Sequence, residues 1–168
     1  ENHAKAIEGF EVEVVDMRDY EMPLFNEPGS PQYSPDRKPE PAVQKWLDKV
    51  VQADGYILIT PEYNRSTSAV LKNAIDYLDF QWERKPVAIV AHGGSGGGQA
   101  VGHLRGMTAG ALAVTVPRAV YFNHQVAKVI SEEGELAEAI KANPYGPEGA
   151  LNTMLADLRW YAQQLSTK

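Results

Sequence analysis

A chain of 168 residues, 43% of them apolar, can bury one core and is short for two ordinary domains, so residues 1–168 read as a single domain. The formal charge of -6 excludes nucleic acid and anionic membrane surfaces as main partners, because neither polyanion attracts an acidic protein. No cysteine is present, which removes thiol catalysis, disulfides and thiolate metal sites together and leaves any redox chemistry to a bound cofactor.

The first residues are polar and helix-like rather than a signal peptide, and no apolar run is long enough to cross a bilayer, so a cytoplasmic location is expected. Asn2 to Glu8 have the pattern of the last turns of a helix, and Gly9 stands where a left-handed cap would stop it. Phe10, Val12 and Val14 alternate with Glu11 and Glu13, which predicts a strand from Phe10 to Asp16 with one wet face. From Met17 to about Pro41 six prolines rule out regular structure, and a loop of that length is functional or disordered. Arg37 and Lys38 in it read as solvated side chains, with a nucleotide phosphate as the alternative partner.

Val43, Trp46, Leu47 and Val50 fall at i, i+3, i+4 and i+7, one apolar helical stripe. Tyr56 to Ile59 is a continuous apolar run, as in a strand covered on both faces. Leu71, Ala74, Ile75 and Leu78 repeat the helical stripe, and Val87 to Ala91 repeats the buried strand. A helix over Gly98 to Ala113, a strand over Val114 to Phe122 interrupted at Pro117, and a last amphipathic helix carrying Leu151, Met154, Leu155, Leu158 and Leu165 complete the chain. Strands alternating with helices predict an α/β fold with a parallel sheet and ligands at the carboxyl ends of the strands. The site is therefore expected in the loops after Thr60 and His92.

Each of those loops has chemistry of its own. Pro61-Glu62-Tyr63-Asn64 ends a strand, and Ser66, Thr67 and Ser68 can cap the helix that follows. Backbone N–H groups at such a place can bond an electron-rich ring edge, although an ordinary capped turn would have the same composition. His92-Gly93-Gly94-Ser95-Gly96-Gly97-Gly98 lets backbone approach a flat ligand without side chains between them; a flexible turn is the plain alternative. Gly93 to Gly97 also matches the Gly-x-Ser-x-Gly elbow of serine hydrolases, but no Asp or Glu lies between Ser95 and His124, the last histidine. The dinucleotide fingerprint fails too, since Gln99 or Val101 occupies its sixth place. Gly98, Gly102, Gly106 and Gly110 recur every four residues and predict a closely packed helix face, with a subunit contact as one place for it.

The Pro61-Glu62-Tyr63-Asn64 turn, the segment Leu71-Lys72-Asn73-Ala74-Ile75-Asp76 and the glycine loop leading to Leu104-Arg105 together resemble the NADPH-dependent FMN reductase family and its quinone, chromate and azo-dye reductases. The resemblance runs from about Phe10 to the C-terminus and implies a flavodoxin-like three-layer α/β/α sandwich. It implies bound FMN, NADPH or NADH as co-substrate, a small-molecule electron acceptor such as a quinone, and a homodimer or homotetramer. Carried over, Pro61, Glu62, Tyr63, Asn64, His92, Gly93, Gly94 and Ser95 contact the flavin, no side chain is assigned as catalytic acid or base, and no metal ligand is assigned. His92 stands where the family often has a small hydroxyl residue, and Ser68 where proline is common. The resemblance also places a central strand and a phosphate-gripping loop ahead of Glu1, so the chain reads as N-terminally incomplete. A flavodoxin-like module that carries FMN without turning over NAD(P)H is the alternative function.

Overall fold

A computed structural model describes residues 1–123, 126–143 and 145–166. Three parallel strands, β1 (Tyr56–Pro61), β2 (Pro86–His92) and β3 (Val114–Phe122), form a sheet in the order β1-β2-β3. Side chains of β2 alternate between two cores, as the two-residue period of a strand requires. Val87, Ile89 and Ala91 enter one with α2 (Pro41–Val50), α3 (Ala69–Asp76) and α4 (Gly98–Gly110); Ala88 and Val90 enter the other with α1 (Asn2–Lys5) and α7 (Pro147–Leu165). Helices thus cover both faces, giving the expected three layers. Two further one-turn helices, α5 (Val126–Val129) and α6 (Glu138–Lys141), precede α7. No helix among the described residues is long and apolar enough to cross a membrane.

The helical stripes behave as their spacing predicts. Val43, Trp46, Leu47 and Val50 of α2 are all buried, and the Trp46 indole N–H donates to the Ala74 carbonyl of α3 at 2.9 Å. Met154, Leu155 and Leu158 of α7 are buried against β2 and β3. Gly9 has φ +87°, the left-handed conformation expected of it, although α1 itself is a single turn ending at Lys5.

Other expectations are corrected. Residues 10–16 form no strand: Phe10 and Val12 pack on the second core, but no strand lies beside their backbone and Val14 is 63% exposed. β1 is not covered on both faces: Leu58 and Thr60 are buried on one, but Ile59 on the other is 71% exposed. Pro117 does not interrupt β3 but bulges it: Val87 faces Thr115 and Ile89 faces Ala119, so one residue of β2 spans three of β3. α4 stops at Gly110, and a Cβ built at Gly98, Gly102, Gly106 or Gly110 meets nothing within 4 Å, so no element of this chain packs closely on that face.

The proline-rich segment contains two one-turn 3-10 helices, Met17–Asp19 and Pro31–Tyr33, and is pinned to α3. Asn73 clamps it with both ends of its amide, accepting from the Phe25 N–H at 2.8 Å and donating to the Pro23 carbonyl at 2.8 Å. Arg37 is not solvated. Its side chain is 9% exposed, pairs with Glu27 at 3.0 Å and Asp79 at 3.6 Å, and donates to the Tyr77 carbonyl, just past the end of α3, at 2.7 Å. A cation at a helix C-terminus offsets the partial negative charge there, so Arg37 fastens the segment electrostatically as well as sterically.

Candidate functional site

β1 and β2 end level with each other. Pro61 pairs with His92, and the Glu62 N–H donates to the His92 carbonyl at 2.7 Å. Beyond this point the chain makes a two-residue hairpin in which Tyr63 and Ser66 exchange both backbone hydrogen bonds at 2.9 Å. Asn64 and Arg65 between them have φ +48° and +67°, the pair of left-handed residues that a type I′ turn demands. Asparagine tolerates this conformation; arginine does not adopt it readily. Underneath, the buried hydroxyls of Thr60 and Thr67 meet at 2.7 Å, and Ser68 caps α3 by accepting from the Leu71 N–H at 3.3 Å.

The glycine loop is drawn against this turn. The Gly93 N–H donates to the Phe122 carbonyl of β3 at 3.1 Å, tying the loop to the third strand. A Cβ at Gly93 would lie 2.9 Å from Glu62 Cβ, so glycine is what lets the two loops touch. Gly97, the N-cap of α4, has φ +79° and no side chain with which to cap the helix. Glu62 supplies the missing cap from another loop. Its Oε2 accepts from the Gln99 N–H at 3.0 Å and, more weakly, from the Ala100 N–H at 3.5 Å, placing a carboxylate at the positive end of α4.

The eight expected site residues therefore converge on one edge of the sheet, but not in one role. Glu62 is turned inward to the helix, whereas Tyr63, Asn64, Gly94 and Ser95 are exposed and His92 is half-buried. The N–H groups of Gly94 and Ser95 donate to no protein acceptor among the described residues, and the space beside Gly94 is open. These free donors suit the polar edge of a flat ring. A phosphate is a poor fit here, because the N-termini of α3 and α4 are already taken by Ser68 and Glu62. Ser95 has no histidine partner among the described residues; His103 Nδ1 lies 3.0 Å from Ser66 Oγ instead, and His124 lies outside the described residues. Surface hollows beside α7 (Ile7, Arg159, Trp160) and α2 (Tyr20, Lys45) share no residue with either loop.

Replacing Glu62 by alanine is expected to lower stability by about 1 kcal/mol, the usual worth of an N-cap, and glutamine, which keeps an acceptor oxygen, by less than half of that. Urea denaturation of the two variants checks the order; equal losses would mean that the cap depends on the negative charge of the carboxylate rather than on an acceptor oxygen. Neither this cap nor the strained Arg65 had been expected from the sequence. A cap from a residue 37 positions away leaves no local spacing to read, and the usual Asn-Gly hairpin signal is hidden when arginine holds the second place.

The sequence model for NADPH-dependent FMN reductase matches residues 1–127. Among curated proteins the chain is similar to an NAD(P)H-dependent FMN reductase of Schizosaccharomyces pombe, 33% identical over 154 residues, covering 80% of this chain and 76% of that protein. It is also similar to an NADPH azoreductase of a Bacillus species, 36% identical over 135 residues, covering 79% of this chain and 70% of the other. Among solved structures, the fold matches a flavoenzyme NAD(P)H:(acceptor) oxidoreductase of Paracoccus denitrificans with a TM-score of 0.66 and 21% identity, over 97% of this chain and 85% of that one.

Proposed function

This chain belongs to the NADPH-dependent FMN reductase family, and from that premise we propose that the edge formed by Pro61 to Asn64 and His92 to Ser95 holds the ring of FMN. The protein is an FMN-dependent NAD(P)H oxidoreductase with a flavodoxin-like α/β fold, working on a small-molecule acceptor. The observation that carries the placement of the ring is the pair of free N–H groups at Gly94 and Ser95, held beside the hydrogen-bonded turn at the ends of β1 and β2.

When bound, FMN supplies the two-electron exchange between a nicotinamide and the acceptor. The chain's own residues position it. Gly94 and Ser95 offer donors to the polar edge of the ring, and the Asn64 amide, held outward by its left-handed backbone, offers another. Glu62 and the Thr60–Thr67 pair keep these groups in register by tying the turn to α4 and to β1. A quinone is the acceptor class that this reading favours. Residues 1–168 act as one domain, an arrangement supported by the single sheet that both cores share. Assembly as a homodimer or homotetramer and a cytoplasmic location belong to the same reading.

Two measurements test it. Flavin fluorescence is expected to be quenched on titration with the protein, and NADPH is expected to be consumed when FMN and a benzoquinone are present. Flavin binding without NADPH oxidation would make the protein an FMN carrier; no flavin binding would end the reading. Replacing Asn64 by glycine keeps the backbone at φ +48° without strain and removes only the amide, so FMN affinity is expected to fall about tenfold, the worth of roughly 1.4 kcal/mol of hydrogen bonding. Unchanged affinity in the glycine variant would take Asn64 away from the flavin.

A further inference from the structure

We propose that Arg65, at the tip of the turn, is the cation that receives a phosphate of the nicotinamide dinucleotide, an inference that rests on the FMN reductase reading.

The first observation is conformational. A type I′ hairpin favours glycine at its second central position, yet arginine stands there at φ +67°, where a Cβ crowds the backbone. Strain of this kind persists where the surrounding structure enforces it, and here two 2.9 Å backbone bonds between Tyr63 and Ser66 do so. The structural role of the position would be served better by glycine. What arginine adds is its side chain.

The second observation is electrostatic. In a chain with 22 acidic and 16 basic residues an exposed guanidinium has many carboxylates to choose from. Arg18 takes Asp16, Arg37 takes Glu27 and Asp79, Arg84 takes Glu83, Arg118 takes Asp157, Arg105 donates to the Pro117 carbonyl, and Arg159 is half-buried beside Gly9. Arg65 is exposed and has no acceptor among the described residues. The carboxylate nearest in sequence, Glu62, is turned away into the N-terminus of α4, so it does not neutralise the tip.

The third observation is position. Arg65 directly follows Asn64, and its other neighbour, Ser66, is within hydrogen-bond distance of His103 on α4. Arg65 thus stands, exposed, at the border of the proposed ring site rather than within it. A dinucleotide whose nicotinamide lies on the flavin extends outward from that ring, and its phosphates match the planar fork of an arginine. The N-termini of α3 and α4, the other features at this edge that attract anions, are already capped.

The experiment compares Arg65→Gly and Arg65→Lys with the parent, all loaded with FMN. Arg65→Gly is expected to raise the melting midpoint by about 3 °C, because the strained backbone is relieved. The same substitution is expected to raise the dissociation constant of NADP+ about tenfold, with a matching fall in the ratio of kcat/KM for NADPH to that for the phosphate-free donor N-benzyl-1,4-dihydronicotinamide. Arg65→Lys, which keeps the charge, is expected to retain most of the affinity. A fall shared by NADPH and NADH would assign the contact to the pyrophosphate, and a fall confined to NADPH to the 2′-phosphate. A higher melting midpoint with NADP+ affinity unchanged would overturn the proposal, as would a loss in Arg65→Lys equal to that in Arg65→Gly. A parent protein that binds FMN but oxidises neither NADPH nor NADH would remove the reductase reading, and this inference with it.

Discussion

Alanine at Gly97 is expected to destabilise the fold by about 3 kcal/mol, from a left-handed backbone penalty of roughly 1 kcal/mol and an overlap costing about 2 kcal/mol. The added Cβ would lie 2.6 Å from Ala91 Cβ and 2.9 Å from both the Ala91 carbonyl carbon and the His92 nitrogen, at φ +79°. Two of those three atoms are backbone of β2, which cannot rotate aside as a flexible side chain would. Relief therefore requires α4 to move off the sheet, carrying the glycine loop with it. FMN affinity should fall along with stability, and urea denaturation together with flavin titration measures both. Alanine at Gly94, where nothing lies within 4 Å, is the matched control for stability. A Gly97 variant as stable as that control would show that the contact of helix and strand is looser than described.

Removal of the Arg37 side chain should cost nearly as much. Alanine there strands the Glu27 and Asp79 carboxylates and the Tyr77 carbonyl, all of which now share one guanidinium. Breaking a fully buried pair from one side costs roughly 3 to 5 kcal/mol. Glu27 and Asp79 are 26% and 29% exposed, so water partly replaces the lost partner and about 2.5 kcal/mol is the expected loss. The effect should also be local: the segment from Met17 to Pro41 loses its fastening to α3 while the sheet stays intact. Limited proteolysis should cut Arg37→Ala within this segment before anywhere else. An uncut variant with parental stability would mean that the Asn73 clamp holds the segment by itself.

Both helices that cover the sheet beside β1 were legible because their signal is local. Val43, Trp46, Leu47 and Val50 lie within two turns, and any partner surface buries them. Val87 to Ala91 was legible as a strand from its apolar run, and at the middle of the sheet both faces of that run are indeed covered. Phe10 to Asp16 shows the limit of that approach. Alternation describes side chains, while a strand also needs a paired backbone, and pairing is not written in the segment itself. Ile59 was misread because coverage of a strand depends on which helices arrive, not on its own composition.

That the two loops meet followed from topology: loops at the carboxyl ends of parallel strands come together wherever the sheet brings them. What each residue does there did not follow. Glu62, read in sequence as a flavin contact, also caps α4, a role that stays hidden in sequence because its partner stands 37 residues downstream. Arg37, which reads as a solvated charge, is enclosed by groups from the segment itself and from the end of α3.

That distant cap also bears on how the molecule comes together. The first turn of α4 begins with glycine and has no acceptor of its own, so it stays frayed until β1 and β2 lie side by side and deliver Glu62. Closing a chain loop of 37 residues costs about 3 kcal/mol of entropy, more than a single cap returns, so pairing of the strands must come first. The start of α4 is then a late event in folding, and the order of the glycine loop reports on whether the sheet beneath it has formed.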